Sequence, residues 1–308
     1  MSGSTGSAPS VSVIIATRDR PEMLRRALDG IAAQDHDGPL EVIVVYDRTD
    51  PDLNLTLDHP RFTLRVCGND RAGGLAGARN TGILASTADW IAFCDDDDEW
   101  LPGKLAAQFA ALDATPGAVA ACTGILIRYE GADTARVPAA DRLSFDGFLR
   151  DRMTEVHPSS WLVDRAALVD RIGLVDEELP GSYAEDYDLF LRTSAVGAIA
   201  VAPEPLVRVW WHGSSFFFER WRTIDDALGY LLEKYPEFAD EPRGLARIEG
   251  QRAVAQAAMG HRRRALGTVW RTLRLNPVER RVPVALVVAA GVPAGAVLAA
   301  AHRFGKGI

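Results

Sequence analysis

The chain has 308 residues, 47% hydrophobic and 25% charged, which is enough to bury a full core and too well mixed to stay disordered. A formal net charge of -8 excludes a general nucleic-acid binder, which needs a basic surface. Three widely spaced cysteines, Cys67, Cys94 and Cys122, contain no CxxC pair and exclude both a zinc knuckle and a disulfide framework.

Residues 1–10 (MSGSTGSAPS) carry neither a basic start nor an apolar run, so a flexible tail and a cytoplasmic catalytic part are expected. Over the next 120 residues short apolar runs alternate with amphipathic stretches, the pattern of parallel strands joined by crossover helices. The predicted strands are VSVIIA (11–16), LEVIVVY (40–46), FTLRV (62–66) and WIAFC (90–94). Leu24, Ala27, Leu28 and Ile31 recur at helical spacing behind Pro21, which predicts a helix between the first two strands. In such sheets ligands bind beyond the carboxyl ends of the strands. Those loops hold Thr17-Arg18-Asp19, Tyr46-Asp47, residues 69–80 and Asp95 to Asp98. No GxGxxG follows the first strand and no GxxxxGK[ST] occurs, which removes the dinucleotide and P-loop signatures.

Asp95-Asp96-Asp97-Asp98 follows an apolar strand and precedes an expected helix in EWLPGKLAAQFAAL. Four adjacent carboxylates repel one another, and a cation offsets that cost. If the backbone is extended, Asp95 and Asp97 face one way and Asp96 and Asp98 the other, so one alternating pair can share a metal. Hard oxygen ligands favour Mg²⁺ or Mn²⁺ with sites left for substrate phosphates. The competing role is that Asp98 or Glu99 caps the helix near Pro102.

The succession SVIIATRDRPEMLRRALDGIAAQ, EVIVVYDRTD, GGLAGARNTGILASTADWIAFCDDDDEWLPGKL and AEDYDLFLR resembles glycosyltransferase family 2 over about residues 10–213. The resemblance implies an α/β fold of the GT-A type, a Rossmann-like, mainly parallel mixed sheet flanked by helices. It also implies a nucleotide diphosphate sugar donor, a hydroxyl acceptor (glycan or lipid-linked), a divalent metal and inversion at the anomeric carbon. Carried over residue by residue, it assigns Thr17, Arg18 and Asp47 to the nucleoside, and Arg79, Asn80, Asp95 and Asp96 to the rest of the donor. Asp95, Asp97 and His212 go to the metal, Asp186 is the general base, and Glu185 positions it or shares its role. Tyr46 stands where the family's first acid after the second strand is usual, which leaves open how the base of the nucleotide is recognised. Glu185 and Asp186 also suit the first turn of a helix, where acids complement the helix dipole. Trp100 and the HPSSW segment (157–161) are expected either to wall the acceptor side or to pack in the core.

A boundary near 213 separates an expected catalytic domain (11–213) from a helical region (214–308). In that region Leu266, Val269, Trp270 and Leu273 with Arg262, Arg263, Arg264, Arg271 and Arg274 predict a basic amphipathic helix. The uncharged run Val282 to Ala301 reaches the length of a membrane span but contains Pro283 and Pro293. Spanning, lying on a membrane surface and packing against protein stay open, with the inner face of the cell membrane as the expected location. Two further alternatives remain: a catalytically silent sugar-nucleotide-binding or membrane scaffold of the same fold, and a nucleotidyltransferase.

Overall fold

The computed structural model describes residues 8–211 and 219–297, so His212 and the end of the 282–301 run lie outside the described residues. The chain divides into two compact units. One comprises Met1–Phe145, Met153–Glu177 and Glu185–Gly213, the other Asp146–Arg152, Glu178–Ala184 and Ser214–Ile308.

The first unit is built on a mixed sheet. Strands β1 (Val11–Thr17), β2 (Leu40–Tyr46), β3 (Thr63–Gly68) and β4 (Trp90–Phe93) are mutually parallel, in the order β3-β2-β1-β4. Helix α1 (Pro21–Ala32) connects β1 to β2 and α2 (Leu75–Ala85) connects β3 to β4. Pro21 opens α1, where its missing N–H costs nothing. The near-continuous Val/Ile runs of β1 and β2 are buried on both faces. Val11, Val13 and Ile15 pack with Leu24, Leu28 and Ile31 of α1, while Ile43 and Val45 meet Ala78 of α2.

Beyond β4 the sheet turns mixed, with further strands β5 (Asp98–Trp100), β6 (Ala118–Tyr129), β7 (Ala132–Arg136), β8 (Trp161–Asp164) and β9 (Ala198–Trp210). The order continues β4-β8-β6-β9-β5, with β8 antiparallel to both neighbours and β7 paired to β6. Helix α3 (Lys104–Ala114) precedes β6, the single turn α5 (Arg165–Ala167) follows β8 and α6 (Glu185–Val196) leads into β9, while α4 (Phe145–Arg150) belongs from Asp146 onward to the other unit. The carboxyl ends of β1, β2 and β3 lie in register, with Thr17 opposite Tyr46 and Tyr46 opposite Gly68. The order reverses between β1 and β4, which opens a crevice at those strand ends.

The acidic run departs from the expected extended backbone. Asp96 and Asp97 form a turn closed by the Asp98 N–H donating to the Asp95 carbonyl (3.1 Å). Residues 98–100 then pair antiparallel with β9 instead of starting a helix. Helix α3 begins only after Gly103, whose φ of 81° suits glycine, and no side chain caps it. Neither Asp98 nor Glu99 is therefore a helix cap.

Lys104, at the start of α3, is fully buried; it donates to Gln108 Oε1 (2.8 Å), and its Nζ lies 3.7 Å from the Trp100 ring centroid. Burial lowers its pKa from 10.5 to about 7. Between those two values the unfolded chain holds a proton that the folded one lacks, so this group makes stability rise with pH across that window. Lys104→Met should therefore flatten the climb of Tm between about pH 7 and pH 10, as read by thermal unfolding of both proteins across that range.

In the second unit, α7 (Trp221–Lys234), α8 (Pro242–Ala258), α9 (Arg262–Leu275) and α10 (Arg281–Ala289) form a helical layer structure. Ala253, Val254 and Ala257 of α8, Ala265 and Val269 of α9, and Val282, Ala285, Val288 and Ala289 of α10 make its core. Gln256 of α8 and Asp225 of α7 are buried and hydrogen-bonded to each other (2.9 Å), and Arg252 and Arg264 pair with the same carboxylate. The uncharged run expected to reach spanning length is broken: α10 ends at Ala289, Gly291 takes a φ of 111°, and Pro293 follows. Among the described residues no helix is long and apolar enough to cross a membrane.

Candidate active site

Thr17, at the end of β1, donates to Asp96 (2.7 Å), and Arg20 reaches both Asp96 (3.2 Å) and Asp97 (2.9 Å). Arg18 lies outside this network, exposed and 3.8 Å from Asp19. Asp47, just past β2, accepts from Asn69 Nδ2 (2.8 Å) and from the Gly74 N–H (3.0 Å) at the start of α2. It thereby ties the glycine-rich loop to the sheet. That loop closes tightly on the helix: a Cβ at Gly77 would stand 1.8 Å from the Ala72 carbonyl oxygen, so only glycine fits.

Arg79, 3% exposed, is held on α2 between the Asp95 carboxylate (2.6 Å) and Glu185, the first residue of α6. Burial opposes the charge on Arg79, but Asp95, Glu185 and Asp186 together keep its pKa raised. Asn80 turns elsewhere. Its amide donates to the Val175 carbonyl (2.8 Å) and Glu177 (2.7 Å) and accepts from the Val175 N–H (2.8 Å). Glu177 in turn pairs with Arg71 and accepts from the Ala72 N–H (3.3 Å). Although burial alone would raise it, these donors, Asn80 foremost, hold the Glu177 carboxyl below its ordinary pKa. Asn80 and Glu177 thus clamp the loop at 175–177 to the glycine-rich segment, a pairing that sequence spacing could not disclose because 97 positions separate the partners.

The acidic turn is electrostatically loaded. Burial raises the pKa of Asp96 to about 6, raises that of Asp97 with the Asp95 charge adding to it, and lifts Asp98 well above its ordinary value, where Asp95 and Asp97 contribute. For Asp95 burial acts the same way, but Arg79 and His157 outweigh it and the net shift is downward. Glu185 is pushed up to about 7 because burial, with Asp186 and Asp95 nearby, outweighs Arg79. Asp98 is 2% exposed; it accepts from the Ser159 hydroxyl (2.5 Å) and lies 3.3 Å from His157 Nδ1. The same Ser159 oxygen accepts the Asp95 N–H (2.9 Å).

These residues suit a divalent cation. Among the described residues the four carboxylates on this turn pair with Arg20 and Arg79 as permanent counter-charges, and hard oxygen donors are the chemistry such an ion prefers. Ligand atoms of Asp95, Asp98 and His157 lie within 4.8 Å of one another. In the sequence His157 stands only within an aromatic segment, and a histidine 59 positions from Asp98 gives no local signal of this role.

Asp186 follows Glu185 in the first turn of α6, half-buried, with one carboxylate oxygen accepting the Tyr187 N–H (2.7 Å). Asp188 faces inward instead, fully buried and paired with Arg192 (2.8 Å). The aromatics proposed as a wall are core residues: Trp100 and Trp161 are 1% and 0% exposed, and the Trp100 indole donates to the Ser159 carbonyl (2.9 Å). Both rings are large enough that the sheet junction spends them on packing. An exposed aromatic pair lies instead at the ends of β6 and β9, where Tyr129 and Trp211 rings stand 5.1 Å apart.

Comparison with known proteins places the sequence in a family and the fold beside solved structures. The model for "Glycosyl transferase family 2" matches residues 12–170. The staphylococcal protein TarS (residues 1–349, in complex with UDP-GlcNAc) superposes with a TM-score of 0.60 at 16% identity, covering 96% of this chain and 92% of that one. The mannosyltransferase PcManGT from Pyrobaculum calidifontis, in complex with GDP-Man and Mn²⁺, superposes with a TM-score of 0.54 at 20% identity, covering 96% of this chain and 80% of that one. The GalNAc(5)-diNAcBac-PP-undecaprenol beta-1,3-glucosyltransferase of Campylobacter jejuni is 34% identical over 102 residues, 32% of each chain. With the family matched across the parallel strands, the acidic turn and β8, and with the fold shared along nearly the whole chain, this protein belongs to glycosyl transferase family 2 and is a glycosyltransferase on a GT-A fold.

Proposed function

We propose that the chain transfers a sugar, with inversion, from a nucleotide diphosphate donor onto the hydroxyl of a glycan or lipid-linked acceptor. The observation that carries this reading is the ion-pair bridge from the acidic turn through Arg79 to Glu185, which ties a cation-suited cluster to the acids that open α6. In this scheme Thr17, Arg18 and Asp47 border the nucleoside, Arg79 and the Asp95–Asp96 edge of the turn face the diphosphate, and Asn80 acts by holding the donor loop in place.

Asp95 and Asp97 are the residues that would hold Mg²⁺ or Mn²⁺, with Asp98 and His157 behind Asp95; His212 keeps the assignment that the family resemblance implies. When bound, such an ion offsets the negative charge that builds on the departing diphosphate. Asp186 takes the proton from the acceptor hydroxyl as its oxygen attacks the anomeric carbon opposite the leaving group. Glu185 is less suited to that task, because Arg79 occupies its carboxylate. Tyr129 and Trp211 offer an apolar face to a sugar ring, which Trp100 and Trp161 do not.

The relative that acts on a PP-undecaprenol-linked substrate supports a lipid-linked acceptor and work at the inner face of the cell membrane. Thermal unfolding with UDP-, GDP- and dTDP-sugars, each with and without Mn²⁺ or Mg²⁺, tests the donor and the metal together, since a ligand bound only by the folded state raises Tm. One nucleotide should stabilise the protein, and more so with metal. No shift with any of them would overturn the reading.

A further inference from the structure

The second unit carries a surface whose composition inverts that of the chain. Between Gly260 and Val297 there are seven arginines against the single acid Glu279, in a protein of formal net charge -8. Arg264, Arg271 and Arg281 are paired with Asp225, Glu249 and Glu279. Arg262, Arg263, Arg274 and Arg280 have no carboxylate partner among the described residues, and Arg274 stacks on Trp270 instead (4.9 Å).

Interleaved with these charges are apolar side chains that the core does not use. Helices α9 and α10 share one core with α8 through Ala265 and Val269 and through Val282, Ala285 and Val288. Their opposite faces point away from it. On α9 that outer face carries Leu266 (49% exposed) and Trp270 (58%), one helical turn apart between Arg263 and Arg274. On α10 it carries Leu286 and Val287 with Pro283, none of them charged, and exposed Ala290 follows directly. Val278, 80% exposed, lies in the link between the two helices. A side chain added at Gly291, just past α10, would meet the Arg262 guanidinium at 3.5 Å, so the start of α9 and the end of α10 are neighbours.

We infer that the outer faces of α9 and α10 form a docking surface for an anionic lipid bilayer, lying in its interface plane with Trp270, Leu266, Leu286 and Val287 inserted and the unpaired arginines on the headgroups. Charge selects this occupant. Apolar side chains ringed by unpaired arginines suit a surface that offers negative headgroups above an apolar interior, and the exposed tryptophan is a side chain that settles at that depth. A second copy of the chain would bring the same arginines face to face. The inference deepens the membrane-surface part of the proposed function, and it requires no step of the transfer reaction.

Co-sedimentation of the full chain with phosphatidylglycerol vesicles and with phosphatidylcholine vesicles tests it. Binding to the anionic vesicles is expected to exceed binding to the neutral ones by about tenfold or more, and to weaken as salt is raised. Trp270→Ser combined with Val287→Ser alters only exposed positions and should cut anionic binding about tenfold, while Leu53→Ser, 79% exposed in the first unit, should leave it unchanged. Unchanged Tm and unchanged donor-induced thermal shift in the double variant separate this surface from the transfer site. Equal binding of both vesicle types, equal binding by the double variant, or a dimer in light scattering that the double variant dissolves without any vesicle binding would each overturn the inference.

Discussion

Asp186→Asn should leave nucleotide-sugar binding within about twofold of the parent protein and lower transfer by roughly 10²- to 10⁴-fold, the usual contribution of a positioned general base. The amide keeps the shape of the carboxylate, and its oxygen can still accept the Tyr187 N–H that the Asp186 carboxylate accepts now. What is lost is the capacity to take a proton. Donor binding by thermal shift and turnover by released nucleotide diphosphate give the two halves of the result. Glu185→Gln makes the contrast: it removes the charge facing buried Arg79, so it should cost stability as well as activity. Full transfer by Asp186→Asn would take Asp186 out of the mechanism.

The second large effect is expected at Asp97. Its carboxylate is 31% exposed and paired with Arg20, itself 41% exposed, so Asp97→Ala removes a solvent-screened pair and should change stability little. Turnover should nevertheless fall by about 10³-fold, because in the proposed scheme Asp97 is one of the charges that would hold the cation, and its loss forfeits several kcal/mol of stabilisation of the leaving diphosphate. The diagnostic observation is that the extra stabilisation a metal gives to the donor complex disappears, while any metal-independent part of donor binding persists. Retention of the metal-dependent increment would assign the ion to the other carboxylates of the turn. The same truncation at Asp98 would not be informative, since that side chain is buried within the Ser159 and His157 network and its loss would disturb the turn itself.

The parallel half of the sheet was legible because its signals are local. Runs of Val and Ile mark strands buried on both faces, and Pro21 with the Leu24/Leu28/Ile31 spacing marks the first crossover helix. Those expectations hold to within two residues at each strand boundary. The mixed half was less legible. Strand β5 is three residues long and exists because β9 pairs with it from over a hundred positions away, so its own pattern reads as the start of a helix. The acidic run was recognisable from its position after an apolar strand, yet the direction of each carboxylate depends on the turn that the Asp98 N–H closes, and alternation in an extended backbone does not apply to it.

What the sequence determined by itself, then, is the order of the strands' chemistry: which segments are buried, where the glycine-rich and acidic loops fall, and the family those motifs belong to, all of which rest on neighbours along the chain. Only the tertiary structure decided which charges meet. Arg79 between Asp95 and Glu185, Asn80 on Glu177, and His157 beside Asp98 are contacts across 16 to 106 positions, and Trp100 and Trp161 go to the core because the sheet closes over them. Buried ionic partners are selected by the need to offset desolvation once the chain has folded, and that requirement leaves no periodic trace in the sequence.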